Sequence, residues 1–300
     1  MGIARLVAVL VVVLVAAGSA TAAQTAKRPL TYIALGDSIA SGHGLGDSGG
    51  LCRRSVRAYP QKVRAALEVN YGPLRFRQLA CSGATTTDLH AQVSAALAAI
   101  GTRRALVTLT IGINDFDWSN IPLTYLRLRD PDEADFESWV DGIAKRAGKT
   151  VGVEIGRLLA RRGVAVVLTD YPDPVNPQSL LFGGPQPCPD VSACYARAEY
   201  LVHTLDAQLA KAVASRPRAR LASVEKEFKG HEAPSPECGS APPSVADTWF
   251  QYPSDPGSNS FPQLPPSLPQ GWRGDCFHPN DAGATSLANA VFTAAKELGR

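Results

Sequence analysis

Short apolar runs alternate along this chain with longer stretches of helical periodicity, and this alternation restricts the fold more than any other feature. Three of the five runs that we predict to be strands, the first, third and fourth, are apolar on both faces, as buried parallel strands are. Strands that alternate with helices imply a parallel sheet covered by helices on both faces. The predicted strands are 30–35, 74–79, 106–111, 164–169 and 220–224, and the predicted helices are 56–70, 87–100, 134–162, 195–215 and a last one from Asn280-Asp281 to the end.

The composition excludes several classes of protein. Hydrophobic residues make up 45% of the 300 residues and charged residues 19%, so the chain can bury a sizeable core and is not disordered. The 30 Lys and Arg residues against 27 Asp and Glu give a formal charge of +3, without the basic stripe that nucleic-acid binding requires. We therefore expect no nucleic-acid partner.

The first 23 residues have the pattern of a secretory signal peptide. Arg5 supplies a positive start, an apolar run covers 6–17, and small residues with an A-x-A-like site continue to Ala23. Spanning a bilayer takes about 20 apolar residues, which is longer than this run. We expect residues 1–23 to be a cleaved signal peptide, and the protein to be secreted with no stable membrane span.

Residues 24–300 are predicted to form a single domain, which we expect to be a monomer. Between 230 and 275 the chain is rich in Pro, Ser and Gly, with aromatic residues interleaved. A structureless segment of this length is usually either functional or a linker. Because only one helix follows it, we interpret it as a long surface loop of the same domain.

Six cysteines in an exported chain predict disulfide bonds. None of them forms a C-x-x-C pair, so we expect no zinc site, and we predict no other metal site. Several pairings remain possible. The pairing of sequence neighbours closes the shortest loops and is favoured: Cys52–Cys81, Cys188–Cys194 and Cys238–Cys276.

A candidate nucleophile follows the first predicted strand directly, in Gly36-Asp37-Ser38. Ligands of an open parallel sheet bind beyond the carboxyl ends of its strands, and that is where Ser38 stands. Gly36 allows a sharp turn, and a helix that begins just after it would direct backbone N–H groups at a developing anion. Taken alone, Ser38 fits the role of a helix cap equally well.

A candidate base stands near the C-terminus, where Asp275 precedes His278 by three residues, just before the last predicted helix. A serine nucleophile needs a base to take its proton, and that imidazole needs an acceptor that fixes its tautomer. Ser38, His278 and Asp275 are therefore a candidate catalytic triad, for which no cofactor is required. Among the remaining histidines, His43 is nearest to Ser38 in sequence and is a candidate for lining the site.

Two further segments follow the second and third predicted strands and offer oxyanion donors. Gly83 has a backbone N–H that can approach a ligand closely, and Asn114 has a side-chain amide. Together with the N–H of Ser38 they would give three donors, one from each strand end. Asn114 taken alone also fits an ordinary turn.

Together these motifs resemble the SGNH (GDSL) hydrolase superfamily, and they bracket nearly the whole chain after the signal peptide. The resemblance implies a flavodoxin-like, three-layer α/β/α sandwich around a five-stranded parallel sheet. The segments that carry it are Gly36-Asp37-Ser38, Gly83, Gly112-Ile113-Asn114-Asp115 and Asp275-Cys276-Phe277-His278-Pro279.

The resemblance also implies serine ester hydrolysis and assigns the roles. Ser38 would be the nucleophile, His278 the base and Asp275 its orienting group, while Ser38, Gly83 and Asn114 would form the oxyanion hole. In some relatives a main-chain carbonyl replaces the aspartate. The pairing of neighbouring cysteines is similar to that of secreted bacterial esterases and lipases of this superfamily with three sequential disulfides.

The function expected from the sequence is that of a secreted hydrolase that cleaves a small-molecule or lipid carboxylic ester through an acyl-enzyme intermediate. An acetylesterase of polysaccharides or a phospholipase would use the same residues, and an inactive binding module is a further alternative. The loop at 230–275 fits an acyl chain or a sugar equally well. Trp118 and Trp272 flank the catalytic motifs and are candidates for the walls of an acyl pocket.

Overall fold

The computed structural model of the protein describes residues 30–117, 127–128, 132–173, 191–231 and 278–299. Every predicted strand and every predicted long helix is confirmed, with ends shifted by a few residues. The strands are β1 (Thr31–Gly36), β2 (Arg75–Gln78), β3 (Ala105–Thr110), β4 (Val164–Thr169) and β5 (Ala219–Ala222). The helices are α1 (Ser38–Ser41), α2 (Tyr59–Tyr71), α3 (Thr86–Ile100), α4 (Glu133–Leu159), α5 (Val191–Val213), α6 (Glu225–Phe228) and α7 (Asp281–Glu297), with a 3₁₀ helix at Ile113–Phe116.

The five described strands form one parallel sheet in the order β2-β1-β3-β4-β5. The connection from β1 to β2 runs in one direction along the sheet, and the later connections run in the other. Because such crossovers are right-handed, α2 lies on one face while α3, α4 and α5 lie on the other. Helix α7 packs against α2. The predicted flavodoxin-like sandwich of three layers is confirmed.

The core is centred on β1, β3 and β4, in which every residue is buried, as their apolar faces predicted. The edge strands β2 and β5 are only partly buried. Polar side chains within the central strands bond to one another, which offsets the cost of removing a hydroxyl from water. The hydroxyl of Thr110 lies 2.9 Å from that of Tyr59 and 2.8 Å from that of Thr169.

One predicted disulfide, Cys52–Cys81, is present and is confirmed. Cys194 is disulfide-bonded as well, and its predicted partner Cys188 lies outside the described residues. The same holds for both cysteines of the third predicted pair, for the signal peptide and for nearly all of the loop at 230–275. No helix in the described part of the chain combines the length and apolarity needed to cross a membrane.

Removal of the Cys52–Cys81 bond in a Cys52→Ala, Cys81→Ala variant is expected to lower the free energy of unfolding by about 2–4 kcal/mol. The bond joins residues 29 apart in sequence, and the unfolded chain gains conformational freedom when this loop opens. Urea unfolding of parent and variant under non-reducing conditions measures the difference. An unchanged unfolding midpoint at equal slope would contradict this expectation.

Candidate active site

Ser38 begins α1 immediately after the chain leaves the sheet at Gly36. Gly36 has φ +126°, and a Cβ at this position would lie 2.1 Å from the carbonyl oxygen of Thr110, so only glycine fits. The side-chain amide of Gln92 accepts a hydrogen bond from Gly36 N (2.7 Å) and donates one to Gly36 O (2.9 Å). These contacts hold Ser38 in a turn where the residue is 7% exposed.

The preceding residue, Asp37, is a fully buried carboxylate that connects the ends of three strands. One oxygen caps α1 by accepting from Ile39 N (3.0 Å), and the other accepts from the hydroxyl of Tyr171, which itself accepts from Ile113 N (3.2 Å). Burial raises the pKa of Asp37 to about 6, although these hydrogen bonds and the positive charge of His278 oppose the rise. His278 is thus an electrostatic neighbour of the turn that carries Ser38.

His43 contacts three of the segments that carry the sequence motifs. Its backbone N–H donates to Ser38 O (3.0 Å), and its Nδ1 lies 2.6 Å from the hydroxyl of Ser82, the neighbour of Gly83. Its ring stacks on that of His278 with 4.6 Å between the ring centroids and 29° between the planes. The buried His43 therefore contacts the Ser38 turn through its backbone, and His278 and the Gly83 loop through its ring.

His278 is 7% exposed and directly precedes the N-terminus of α7. Asn280 caps this helix by accepting hydrogen bonds from two backbone N–H groups of its first turn, at 3.0 and 3.1 Å. Asp281 forms salt bridges with Lys62 on α2 (3.1 Å) and with Arg57 just before it (3.2 Å). The start of α7, and with it His278, is thereby fixed against α2.

The loops after β2 and β3 hold the two predicted oxyanion donors. Gly83 has φ +80°, and a Cβ there would meet nothing within 4 Å, so its backbone faces open space. The amide of Asn114, a buried residue of the 3₁₀ helix, donates to the carbonyl of Ala84 at 2.9 Å. A side-chain amide carries two N–H donors, and this bond to the neighbour of Gly83 fixes the direction of both.

Asp115 fixes the start of α3 next to these donors. Its carboxylate accepts hydrogen bonds from the backbone N–H of Thr86 (3.0 Å) and from the Thr86 hydroxyl (2.6 Å). Burial raises the pKa of Asp115, while the bonds from Thr86 oppose the rise. Because Asp115 follows Asn114 directly, the loops after β2 and β3 are held in one fixed arrangement.

One family profile covers this whole region. Residues 34–285 match the GDSL-like Lipase/Acylhydrolase family. The chain belongs to this family. The predicted resemblance to GDSL hydrolases is therefore confirmed for most of the chain, from within β1 to within α7.

Two curated lipases share part of their sequence with this GDSL-like lipase/acylhydrolase. Lipase 1 of Streptomyces coelicolor is 39% identical over 129 residues, which are 40% of this chain and 46% of that protein. The lipase of Streptomyces rimosus is 38% identical over 110 residues, which are 35% of this chain and 38% of that protein. The chain thus spans less than half the length of the curated relatives that it matches.

Two solved structures show the same fold. Phospholipase A1 from Streptomyces albidoflavus NA297 superposes with a TM-score of 0.59 at 23% identity, covering 88% of this chain and 99% of that one. The extracellular lipase from Streptomyces rimosus gives a TM-score of 0.57 at 23% identity and the same coverage. At this level of identity, the likeness establishes the architecture of the family member described here and nothing about its substrate.

Four of the predicted site residues of this GDSL-like lipase/acylhydrolase lie together at the carboxyl ends of the strands: Ser38, Gly83, Asn114 and His278. Asp275, Trp118 and Trp272 lie outside the described residues. The sequence did not identify Gln92 or Tyr171, which act only through tertiary contacts. Asp37 carried a recognisable signal, since an aspartate before a short helix is a typical N-cap.

Asp37→Asn is expected to change how stability depends on pH. The folded-state pKa of Asp37, about 6, lies above the ordinary value of 3.8. Ionisation of Asp37 therefore lowers the unfolding free energy of the parent as pH rises from about 4 through 6, and the asparagine variant lacks this contribution. Measured by urea unfolding, the stability of the variant relative to the parent should rise by about 3 kcal/mol over this window and then stay constant.

The control for this measurement is Asp135→Asn, which neutralises an exposed carboxylate on α4. Its unfolding free energy should follow that of the parent between pH 4 and 8. If the Asp37→Asn curve also runs parallel to the parent, Asp37 does not titrate differently in the folded and unfolded states.

Proposed function

We propose that this protein is a secreted serine ester hydrolase that cleaves carboxylic esters through an acyl-enzyme intermediate. The observation that carries the proposal is that His43 contacts all three segments: its backbone N–H donates to Ser38 O, and its ring contacts His278 and Ser82 of the Gly83 loop. Membership of the GDSL-like Lipase/Acylhydrolase family and the lipase names of the two curated relatives support the same chemistry.

In the proposed reaction, His278 takes the proton from the Ser38 hydroxyl as its oxygen attacks the ester carbonyl carbon. The negative charge that develops on the carbonyl oxygen is stabilised by the N–H groups of Ser38 and Gly83 and by the Asn114 amide. The carbon–oxygen bond to the alcohol then breaks, and the alcohol leaves with the proton held by His278. A water molecule attacks the acyl-enzyme by the same steps and releases the acid and free Ser38. The reaction needs no cofactor.

The orientation of His278 is part of the same proposal. The resemblance assigns Asp275, or in its place a main-chain carbonyl, as the acceptor that holds the imidazole tautomer. The stacked ring of His43 supports the orientation from one face, because a ring whose centroid lies 4.6 Å away restricts rotation about the His278 side-chain bonds. His43 is thus a positioning residue, which receives its own orientation from Ser82.

The proposed substrates are esters of fatty acids, because both curated relatives are named lipases. A phospholipase and a polysaccharide acetylesterase remain alternatives with the same catalytic residues, and an inactive binding module would show no turnover. Secretion is proposed from the signal-like residues 1–23 and from the description of the Streptomyces rimosus relative as extracellular. That residues 24–300 form one domain, and that the protein is a monomer, stays a prediction.

Ser38→Ala is expected to lower kcat for p-nitrophenyl ester hydrolysis by at least about 10⁴-fold, because the attacking oxygen is removed. Ser286→Ala is the matched control, since Ser286 on α7 is equally buried (8% exposed against 7% for Ser38) and has no assigned role. It should retain the activity of the parent. A Ser38→Ala protein that is folded and equally active would overturn the proposed mechanism.

The chain-length preference of the parent tests the substrate class. Hydrolysis of p-nitrophenyl esters from C2 to C16 should be fastest at C8 or longer if the protein is a lipase. An optimum at C2 would instead select the acetylesterase alternative. A folded, oxidised protein that hydrolyses none of these esters, and no polysaccharide or phospholipid ester, would leave the binding module as the remaining candidate.

Asn114→Ala is expected to lower kcat by about 10²–10³-fold with little change in KM, because an oxyanion donor acts mainly in the transition state. Asn114→Ala also removes the bond to Ala84, so Asn114→Gln, which retains an amide donor, serves as a second variant. Steady-state kinetics with a p-nitrophenyl ester measure both. A rise in KM at unchanged kcat would place Asn114 in substrate binding instead.

A further inference from the structure

A second polar cluster lies at the end of β4, two strands away from β1 in the sheet. It consists of Asp173 after β4, Glu199 and His203 on α5, and Glu225 at the start of α6. One ligand atom from each of Asp173, Glu199 and His203 lies within 4.8 Å of the other two. His203 Nε2 is 3.0 Å from Asp173 and 3.3 Å from Glu225. We call this group the β4 cluster.

The β4 cluster holds more negative charge than its single imidazole can balance. Three carboxylates surround His203, and Asp206, which follows it by three residues, lies on the same side of α5. The charges of Asp173 and Glu225 act directly on Asp206. The side chains of His203 and Glu225 are each 41% exposed and that of Asp173 18%, so the cluster is open to ions from solvent, and like charges this close together favour a positive ion between them.

Asp206 supplies an independent observation. It is 8% exposed, and one carboxylate oxygen accepts from the backbone N–H of Tyr171 at 3.0 Å. The other carboxylate oxygen is buried and has no hydrogen-bond partner. Burial raises the pKa of Asp206 well above its ordinary value, and the charges of Asp170, Asp173 and Glu225 add to the rise, so this acid lies within electrostatic reach of the β4 cluster.

We propose that the β4 cluster binds a divalent transition-metal ion of the Zn²⁺ type, with His203, Asp173 and Glu199 as ligands and Glu225 completing the set. An imidazole nitrogen together with carboxylate oxygens suits zinc better than calcium or magnesium, which prefer oxygen ligands alone. Zinc holds such ligands at about 2.0–2.2 Å, so side-chain rotation must bring the three atoms, which lie within 4.8 Å of one another, around a shared centre. The ion would join β4, α5 and α6, and its role would be structural.

This inference departs from the sequence-based expectation of no metal site. Its ligands come from three separate elements, and only the spacing of four residues between Glu199 and His203 shows in the sequence. The proposal does not depend on ester hydrolysis, because none of these side chains has a role in the proposed reaction.

The described chain offers a matched control in the pair of His90 and Glu154. His90 Nδ1 lies 3.0 Å from the buried carboxylate of Glu154, as His203 lies from Asp173, but Arg157 balances that charge. His90→Gln therefore removes a histidine beside a carboxylate without touching the β4 cluster. Asp173→Asn and His203→Gln remove a proposed ligand with little change in shape.

The test is isothermal titration of ZnCl₂ into the untagged full chain after treatment with a chelator. We expect saturable binding of one ion per chain, at least tenfold weaker in Asp173→Asn and in His203→Gln, and unchanged in His90→Gln. Titration with CaCl₂ and MgCl₂ should give much weaker binding. Absence of saturable zinc binding, zinc binding that survives both ligand substitutions, or a preference for calcium would each overturn the proposal.

Thermal unfolding is the second readout and needs no activity. Zinc should raise the Tm of the parent and of His90→Gln in a saturable way, because the ion binds the folded state. The same addition should leave the Tm of Asp173→Asn and His203→Gln unchanged. Far-UV circular dichroism shows which variants are folded, and His203→Gln carries the test if Asp173→Asn fails to fold. A zinc-induced rise of equal size in both ligand variants would contradict the assignment.

Discussion

The close approach of Gly36 to the carbonyl of Thr110 is the constraint on which the rest of the site depends. Strand β1 lies between β2 and β3, so its last residue has neighbours on both sides and no room for a side chain. The next N–H, that of Asp37, still donates to Thr110 O at 2.9 Å, which keeps the chain paired with β3 until it turns. Ser38 follows at once, and its position is therefore set by the sheet itself. The loop beyond α1 then returns His43 to the carbonyl of Ser38.

Buried polar groups join the strand ends at this end of the sheet. Burial of the Asp37 carboxylate disfavours its charged form and raises its pKa. Tyr171 offsets part of this cost by donating a hydrogen bond to the carboxylate. The same hydroxyl accepts from Ile113 N, so a single phenol sets the position of β1 relative to the segment that leads to Asn114. In a low-dielectric environment such bonds are strong, and they hold the proposed nucleophile and oxyanion donors in one arrangement.

How much of this molecule the sequence predicts depends on whether an interaction joins residues that are near or far apart in the chain. The central strands were found because burial on both faces leaves a continuous apolar run, and the bounds of β1, β2 and β3 shifted by only one residue at each end. The largest shift, two residues, is at the end of β5, a partly buried edge strand with a weaker pattern. Ser38, Gly83, Asn114 and His278 were proposed from short motifs beside predicted elements, and their catalytic roles stay a prediction. The contact of His43 with His278 was not predicted, because it joins residues 43 and 278 through the folded chain. The proposed ligands of the β4 cluster were not predicted either, because they too come together only in the folded chain.

Tyr171 also connects the proposed catalytic edge to the β4 cluster. Its hydroxyl donates to Asp37, while its backbone N–H donates to the buried carboxylate of Asp206, so the two ends of one residue satisfy two buried acids. A shift of the chain after β4 would therefore weaken both bonds together, since each depends on the same backbone position. Asp170, the residue before it, accepts from the backbone N–H of Val224 and so extends the connection to the start of α6. The negative charge of the β4 cluster near Asp206 and the geometry around Ser38 are therefore linked, because both depend on where β4 ends.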